Sequence, residues 1–287
     1  MIIDRLQNAR SKLKAWLTLA IILASSHCLA APSHIVSINP CLDQILIEVA
    51  DPQQIAALSY FSRDPRSSLI VDSARRFPIT YGSAEEVLQF KPDLVLASAY
   101  SSKATLKTLH TLHANLAIFE LPNSLEISAQ QVARIAELAG HPERGVALNK
   151  RIHTALEKAK HLPPFSPITA LVYQANGFVA GKGTLIDQVM TQSGFVNQAN
   201  TYGITQWGLV HIEDVLLAPP KILFSPANGT EVGTWSSRIV SHPLLSHLPK
   251  NILRTSPFPE SLIYCGGPTL IPLAQALSKA HTLENTK

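Results

Sequence analysis

The most reactive side chains in the sequence are three thiols, Cys28, Cys41 and Cys265. A cysteine can attack a carbonyl carbon, ligate a soft metal or close a disulfide. Nucleophilic use of Cys41 requires a base, and His211 is the candidate to approach it. The 11 histidines are otherwise scattered. His110 and His113 share a helix face, and His242 and His247 flank Pro243, but neither pair forms a closed metal set with carboxylates. No metal site is therefore expected. Gly177–Thr184 (GFVAGKGT) superficially resembles a phosphate loop. Three residues separate its first two glycines where four are needed, and Gly183 intrudes after the lysine, so a turn into a helix is expected. No Gly-x-Ser-x-Gly elbow occurs. The chain is not expected to be an enzyme.

Aromatic side chains offer the other usable chemistry, which is flat apolar wall. Tyr60, Phe61 and Tyr81 fall just after expected strands or just before a helix. Trp207 lies in the glycine-punctuated stretch Tyr202–Gly208, an unusual setting for a core tryptophan. These residues, with Tyr202, are candidates to line a cleft.

Which thiols matter depends on compartment. Arg5, Arg10, Lys12 and Lys14 precede the apolar run Ala15–Ala24, and small residues at Cys28 and Ala30 complete the pattern of a secretory signal. Cleavage is expected near Ala31, giving a periplasmic chain with Cys41 and Cys265. An oxidising compartment permits a disulfide, and each cysteine can equally stand free against a ligand. The same segment accounts for the charge. The whole sequence has 24 basic and 20 acidic side chains, of which four and one fall in the first 30 residues, leaving 20 and 19. Such a near-neutral chain lacks the basic footprint that nucleic-acid binding needs.

The elements that would position these residues alternate. Ile35–Ile38 reads as a strand ended by Asn39-Pro40, Asp43–Ala50 as a helix and Ile55–Leu58 as a strand. Ser83 and Glu86 form a capping box opening a helix, and Leu94–Ala97 is a buried strand. A helix over about Lys103–His113 and a strand over Leu116–Phe119 continue the βαβα rhythm of a parallel sheet. From Ile127 to Lys160 the pattern is helical apart from Gly140-His141-Pro142. The alternation then restarts: a strand at Ile168–Tyr173, a helix capped by Thr184, a short helix at His211–Leu217, strands at Ile222–Ser225 and near Ile252, and a last helix from about Pro268. Glu85-Glu86-Val87-Leu88 before Lys91-Pro92-Asp93-Leu94-Val95 is echoed by Glu213-Asp214-Val215-Leu216 before Pro220-Lys221-Ile222-Leu223. Two equivalent lobes joined by one long helix is the simplest geometry.

Four blocks in this order, Ile35–Pro40, Lys91–Val95, Gly181–Thr184 and Trp207–Glu213, resemble the helical-backbone solute-binding proteins of ABC importers. That group includes periplasmic cobalamin-, haem- and ferric-siderophore-binding proteins, and the likeness is greatest to its cobalamin-binding members. It covers about residues 33 to 283 and implies an α/β fold of two Rossmann-like lobes with a cleft between them, joined by one long interlobe helix. The expected divisions are a signal peptide (1–31), an N-terminal lobe (32–141), the interlobe helix and linker (142–164) and a C-terminal lobe (165–287). The resemblance implies a monomer that delivers a cobalt or iron chelate to a dimeric permease, with no resident cofactor, and assigns permease docking to Glu85 and Glu213. It places Trp207 in the cleft and sets the loops bearing Cys41 and Tyr264-Cys265 opposite one another. The two cysteines can then form a disulfide, ligate the chelated metal or line the cleft unpaired. Asp43 and Glu260 are candidates to hydrogen-bond the amides of a corrin, or to cap helices. If the ligand is haem, Tyr60 or Tyr264 could ligate iron; a siderophore would draw on Arg63 or Arg66.

Overall fold

A computed structural model describes residues 31–160, 168–226, 245 and 248–285. The signal segment, the linker beyond Lys160, and His242 and His247 lie outside the described residues.

The N-terminal lobe is built on a parallel sheet of β1 (Ile35–Ser37), β2 (Ile55–Ser59), β3 (Ile79–Thr80), β4 (Leu94–Ser98) and β5 (Leu116–Phe119), in the order β3-β2-β1-β4-β5. Its central strands are apolar without alternation because helices cover both faces; β1 and the first four residues of β4 are buried throughout. The helices are α1 (Pro40–Val49), α2 (Val71–Ala74), α3 (Ala84–Gln89), α4 (Lys103–Thr111) and α5 (Leu125–Leu138). Helix α1 starts earlier than the apolar pattern predicts. Asn39 is its N-cap, accepting from the Cys41 and Leu42 amides, and Pro40 takes the first turn, where a missing N–H costs nothing. The expected capping box is half formed. Ser83 accepts from the Glu86 amide, but the Glu86 carboxylate reaches back to the Tyr81 amide and the Thr80 hydroxyl.

The C-terminal lobe has a second parallel sheet of β6 (Ile168–Val172), β8 (Phe195–Asn197), β10 (Ile222–Ser225) and β11 (Arg254–Pro257), in the order β11-β10-β6-β8. A separate antiparallel pair joins β7 (Phe178–Ala180) to β9 (Trp207–Leu209). The helices are α7 (Leu185–Gln192), α8 (Ile212–Leu217) and α9 (Leu270–Asn285). The repeated sequence pattern has a structural meaning. Helix α3 leads into β4 and α8 into β10, and each of these strands lies beside the first strand of its own sheet. In both sheets strand order reverses at that point, which is where open α/β sheets bind ligands, outside the carboxyl ends.

The helix between the lobes is α6 (Pro142–Ala159). It buries Gly145, Leu148, Ile152, Leu156 and Ala159, a helical stripe, against α1 and α5 on one side and α7 and α9 on the other. Gly145 permits the α5–α6 crossing: a Cβ there would stand 2.6 Å from the Ala136 Cβ. One continuous apolar cluster runs from Ile35 and Leu46 in the first lobe through Leu148 and Ile152 to Phe224 and Leu273 in the second. The lobes therefore share a core behind the cleft.

Candidate functional site: an aromatic cleft

The carboxyl ends of the first sheet form a rim rich in exposed tyrosine. Tyr60 and Phe61 follow β2, Tyr81 follows β3 and Tyr100 follows β4. Tyr60 stacks on Tyr81 with ring centroids 4.9 Å apart and meets Phe61 edge to face. The support beneath them is Asp43, on α1. Its buried carboxylate accepts from the Ser59 amide at 3.0 Å and from the Ser62 hydroxyl, which fixes the turn that carries Tyr60 and Phe61. Burial pushes the Asp43 carboxyl up to about 7, against the opposing pull of Ser37, Ser62 and Ser59.

Across from this rim stands a row of three rings. Phe178 and Trp207 stack at 5.3 Å with planes 8° apart, and Tyr264 follows Trp207 at 6.3 Å. The β7–β9 pair holds the first two. The glycine run before α7 serves this pair: a Cβ on Gly181 would lie 2.3 Å from the Ile204 carbonyl oxygen. Thr184 then caps α7 by accepting from the Asp187 amide. Tyr264 is tied down twice. Its hydroxyl donates to the Gln174 side-chain oxygen at the end of β6, and the next residue, Cys265, is disulfide-bonded to Cys41. Burial, followed by the Glu260 charge, raises the Tyr264 phenol above its ordinary range.

A cavity of about 420 Å³, open to solvent, lies between the lobes. The first lobe contributes Tyr100, the loop Glu120–Asn123 and Ile127; the second contributes Thr184–Ile186, Gln206, Trp207, Ile263 and Tyr264. Among these described lining residues there is one carboxylate, Glu120, and no lysine, arginine or histidine. Two side-chain amides, Asn123 and Gln206, face the space.

Several candidate residues sit differently from expectation. Asp43 is sealed inside the first lobe and neither lines the cleft nor caps a helix. Tyr202 turns away: its hydroxyl donates to the Ala218 carbonyl at 2.7 Å, its ring packs on the core of the second lobe, and burial pushes it up to about 12. Glu260 begins a short 3-10 turn whose cap is Pro259, and it is absent from the cavity wall. Tyr60, Phe61 and Tyr81 share the rim with Tyr100 but lie toward the far edge of the sheet, outside the cavity. Of the three alternatives open for Cys41 and Cys265, the structure has the disulfide, so neither thiol ligates a metal or stands unpaired. Trp207 and Tyr264 do meet at the cavity. Tyr100, Glu120, Asn123, Gln206 and Phe178 escaped the sequence reading. The available signal for Tyr100 and Glu120 was their place just after the strands Leu94–Ser98 and Leu116–Phe119.

Residues 35–250 match the family model described as "Periplasmic binding protein". No curated protein matches the chain. Among solved structures, the periplasmic heme-binding protein RhuT from Roseiflexus sp. RS-1, in apo form, aligns with a TM-score of 0.69 at 24% identity, covering 87% of this chain and 99% of that one. The periplasmic heme-binding protein HutB of Vibrio cholerae aligns at 0.70 and 16%, covering 86% and 98%. The periplasmic vitamin B12 binding protein BtuF of Vibrio cholerae aligns at 0.65 and 16%, covering 89% and 98%. At these identities the likeness is one of fold. The family model spans most of both lobes, and the chain belongs to the periplasmic binding protein family.

Proposed function

We propose that this protein is the periplasmic substrate-binding component of an ABC importer, and that its cargo is a corrinoid such as cobalamin. The observation that carries this reading is the composition of the cavity wall. Two rings, Trp207 and Tyr264, stand on the wall, Trp207 backed by the stacked ring of Phe178, and offer apolar surface to a flat macrocycle. Around them are two side-chain amides, Asn123 and Gln206, without a lysine, arginine or histidine among the described lining residues. A corrin is rimmed with neutral amides, which pair with such groups. Haem carries two propionates and ferric siderophores are commonly anionic, so both call for cations, of which there is none among the described lining residues. One observation favours haem as the second reading: the Tyr100 phenol, 77% exposed and on the cavity wall, is an oxygen donor of the type that ligates ferric iron.

Delivery follows from symmetry. Glu85 and Glu213 are each the second residue of a six-residue helix, α3 and α8, and both are exposed. One such carboxylate on each lobe can set the register of the loaded protein on a permease dimer through paired cations. A catalytic role for Cys41 is not part of this reading, since its sulfur is bonded to Cys265. The protein acts as a monomer.

The test is an absorbance titration of the mature protein with cyanocobalamin and then with hemin. Saturable one-to-one binding of cyanocobalamin supports the corrinoid reading. A Soret shift with hemin and no response to cyanocobalamin replaces it with haem uptake.

A further inference from the structure

The described wall of the cavity carries a single acidic side chain, Glu120, and no basic one. Its backbone is held in place: Glu120 directly follows β5, and its carbonyl accepts from the Gln131 side-chain amide on α5. The side chain is exposed, and no ion pair among the described residues engages it. The nearby guanidinium of Arg134 lies over the Phe119 ring, 5.2 Å from its centroid. A carboxylate on the described wall, with no ion-pair partner among the described residues, treats ligands by their own charge. It is nearly indifferent to a neutral macrocycle and repels one bearing carboxylates.

We infer that Glu120 is a specificity-determining residue that excludes anionic chelates from the cleft. The inference rests on the reading of this cavity as a chelate site and deepens it. Affinity for a neutral corrinoid comes from the rings and amides, whereas discrimination against porphyrin dicarboxylates and ferric siderophores comes from the one carboxylate. Specificity of this kind needs a repulsive element as well as attractive ones.

The experiment compares wild type, Glu120→Gln and Glu120→Lys against three probes: cyanocobalamin, hemin, and hemin dimethyl ester, whose carboxylates are masked. At low salt, hemin affinity is expected to rise about threefold in Glu120→Gln and about tenfold or more in Glu120→Lys, with the gain shrinking as salt screens it. The ester and cyanocobalamin are expected to shift by less than about twofold, since neither carries the charge that Glu120 opposes. Unchanged hemin affinity in both variants overturns the inference, as does an ester that shifts as far as hemin. A wild-type protein that prefers hemin to cyanocobalamin removes the corrinoid reading instead, while the ordering of hemin affinities across the three proteins still decides the role of Glu120.

Discussion

Cys41 and Cys265 stand 224 residues apart in sequence and 5.1 Å apart between Cα atoms, and the disulfide joining them links the first helix of one lobe to the cleft loop of the other. The link is reinforced by the residues that follow Cys265. The Gly267 amide donates to Ser128, and the Thr269 hydroxyl meets the side-chain oxygen of Gln44 at 3.3 Å. The segment just after Tyr264 is thus fastened to the first lobe, giving the lobes a second crossing besides α6 and a cleft whose floor has little freedom to open.

Reduction, or the Cys41→Ser variant, is expected to lower unfolding free energy by about 2–5 kcal/mol, the range for a disulfide closing a long loop. Denaturant midpoints with and without reductant measure this directly. An unchanged midpoint would mean that the bond constrains nothing beyond what the shared core already holds.

Trp207→Ala is expected to weaken ligand binding by about 1–3 kcal/mol, or roughly fivefold to 150-fold, because it empties the middle of the ring row. Tyr264→Phe keeps the ring but loses the hydroxyl bond to Gln174, and should cost about 1 kcal/mol. Isothermal titration with cyanocobalamin reads both. Tyr202→Phe serves as the contrast: it removes the bond to Ala218 and should lower stability without moving affinity.

Asp43 makes stability depend on pH. Its carboxyl titrates at about 7 in the fold and near 3.8 when unfolded, so the folded state binds the extra proton between those values. Stability from this group is complete below about pH 4 and is lost as pH rises through about 7. Asp43→Asn is expected to flatten that decline, worth about 2–4 kcal/mol in the limit. Melting curves from pH 5 to 8 for both proteins test it; parallel pH profiles would show that Asp43 is not the titrating group.

Charge reversal at Glu85 and Glu213 together is expected to abolish uptake in cells while leaving solution affinity unchanged. Transport assays alongside titrations separate the two effects. Normal transport by the double variant rules out docking through these carboxylates.

Sequence periodicity revealed the lobes because buried parallel strands and amphipathic helices leave strong patterns, and the paired motifs around Glu85 and Glu213 revealed their equivalence. It missed β3, β7, β8 and β9, which have two or three residues each and no room for a period. Asn39-Pro40 read as the end of a strand, yet both residues are also helix-start signals, and α1 uses them so. In the site, Trp207 was legible from its loop. Asp43 and Tyr202 were misplaced because polarity suggests exposure, and their burial depends on distant partners, Ser59 and Ala218. Glu120 had only its place after β5 to mark it, and nothing local marks Gln206: the meeting of two lobes makes them neighbours.

The staple between Cys41 and Cys265 also imposes an order of events on biogenesis. In the proposed periplasmic protein, exported amino terminus first, the first thiol would cross the inner membrane long before its partner, since 224 residues separate them. The leading lobe must take shape with that thiol unpaired. Only when the stretch before the last helix arrives, and an oxidant acts, is the cleft floor covalently set. Material made in a reducing cytosol would therefore be a different object from the exported protein, with the same residues but one interlobe crossing fewer.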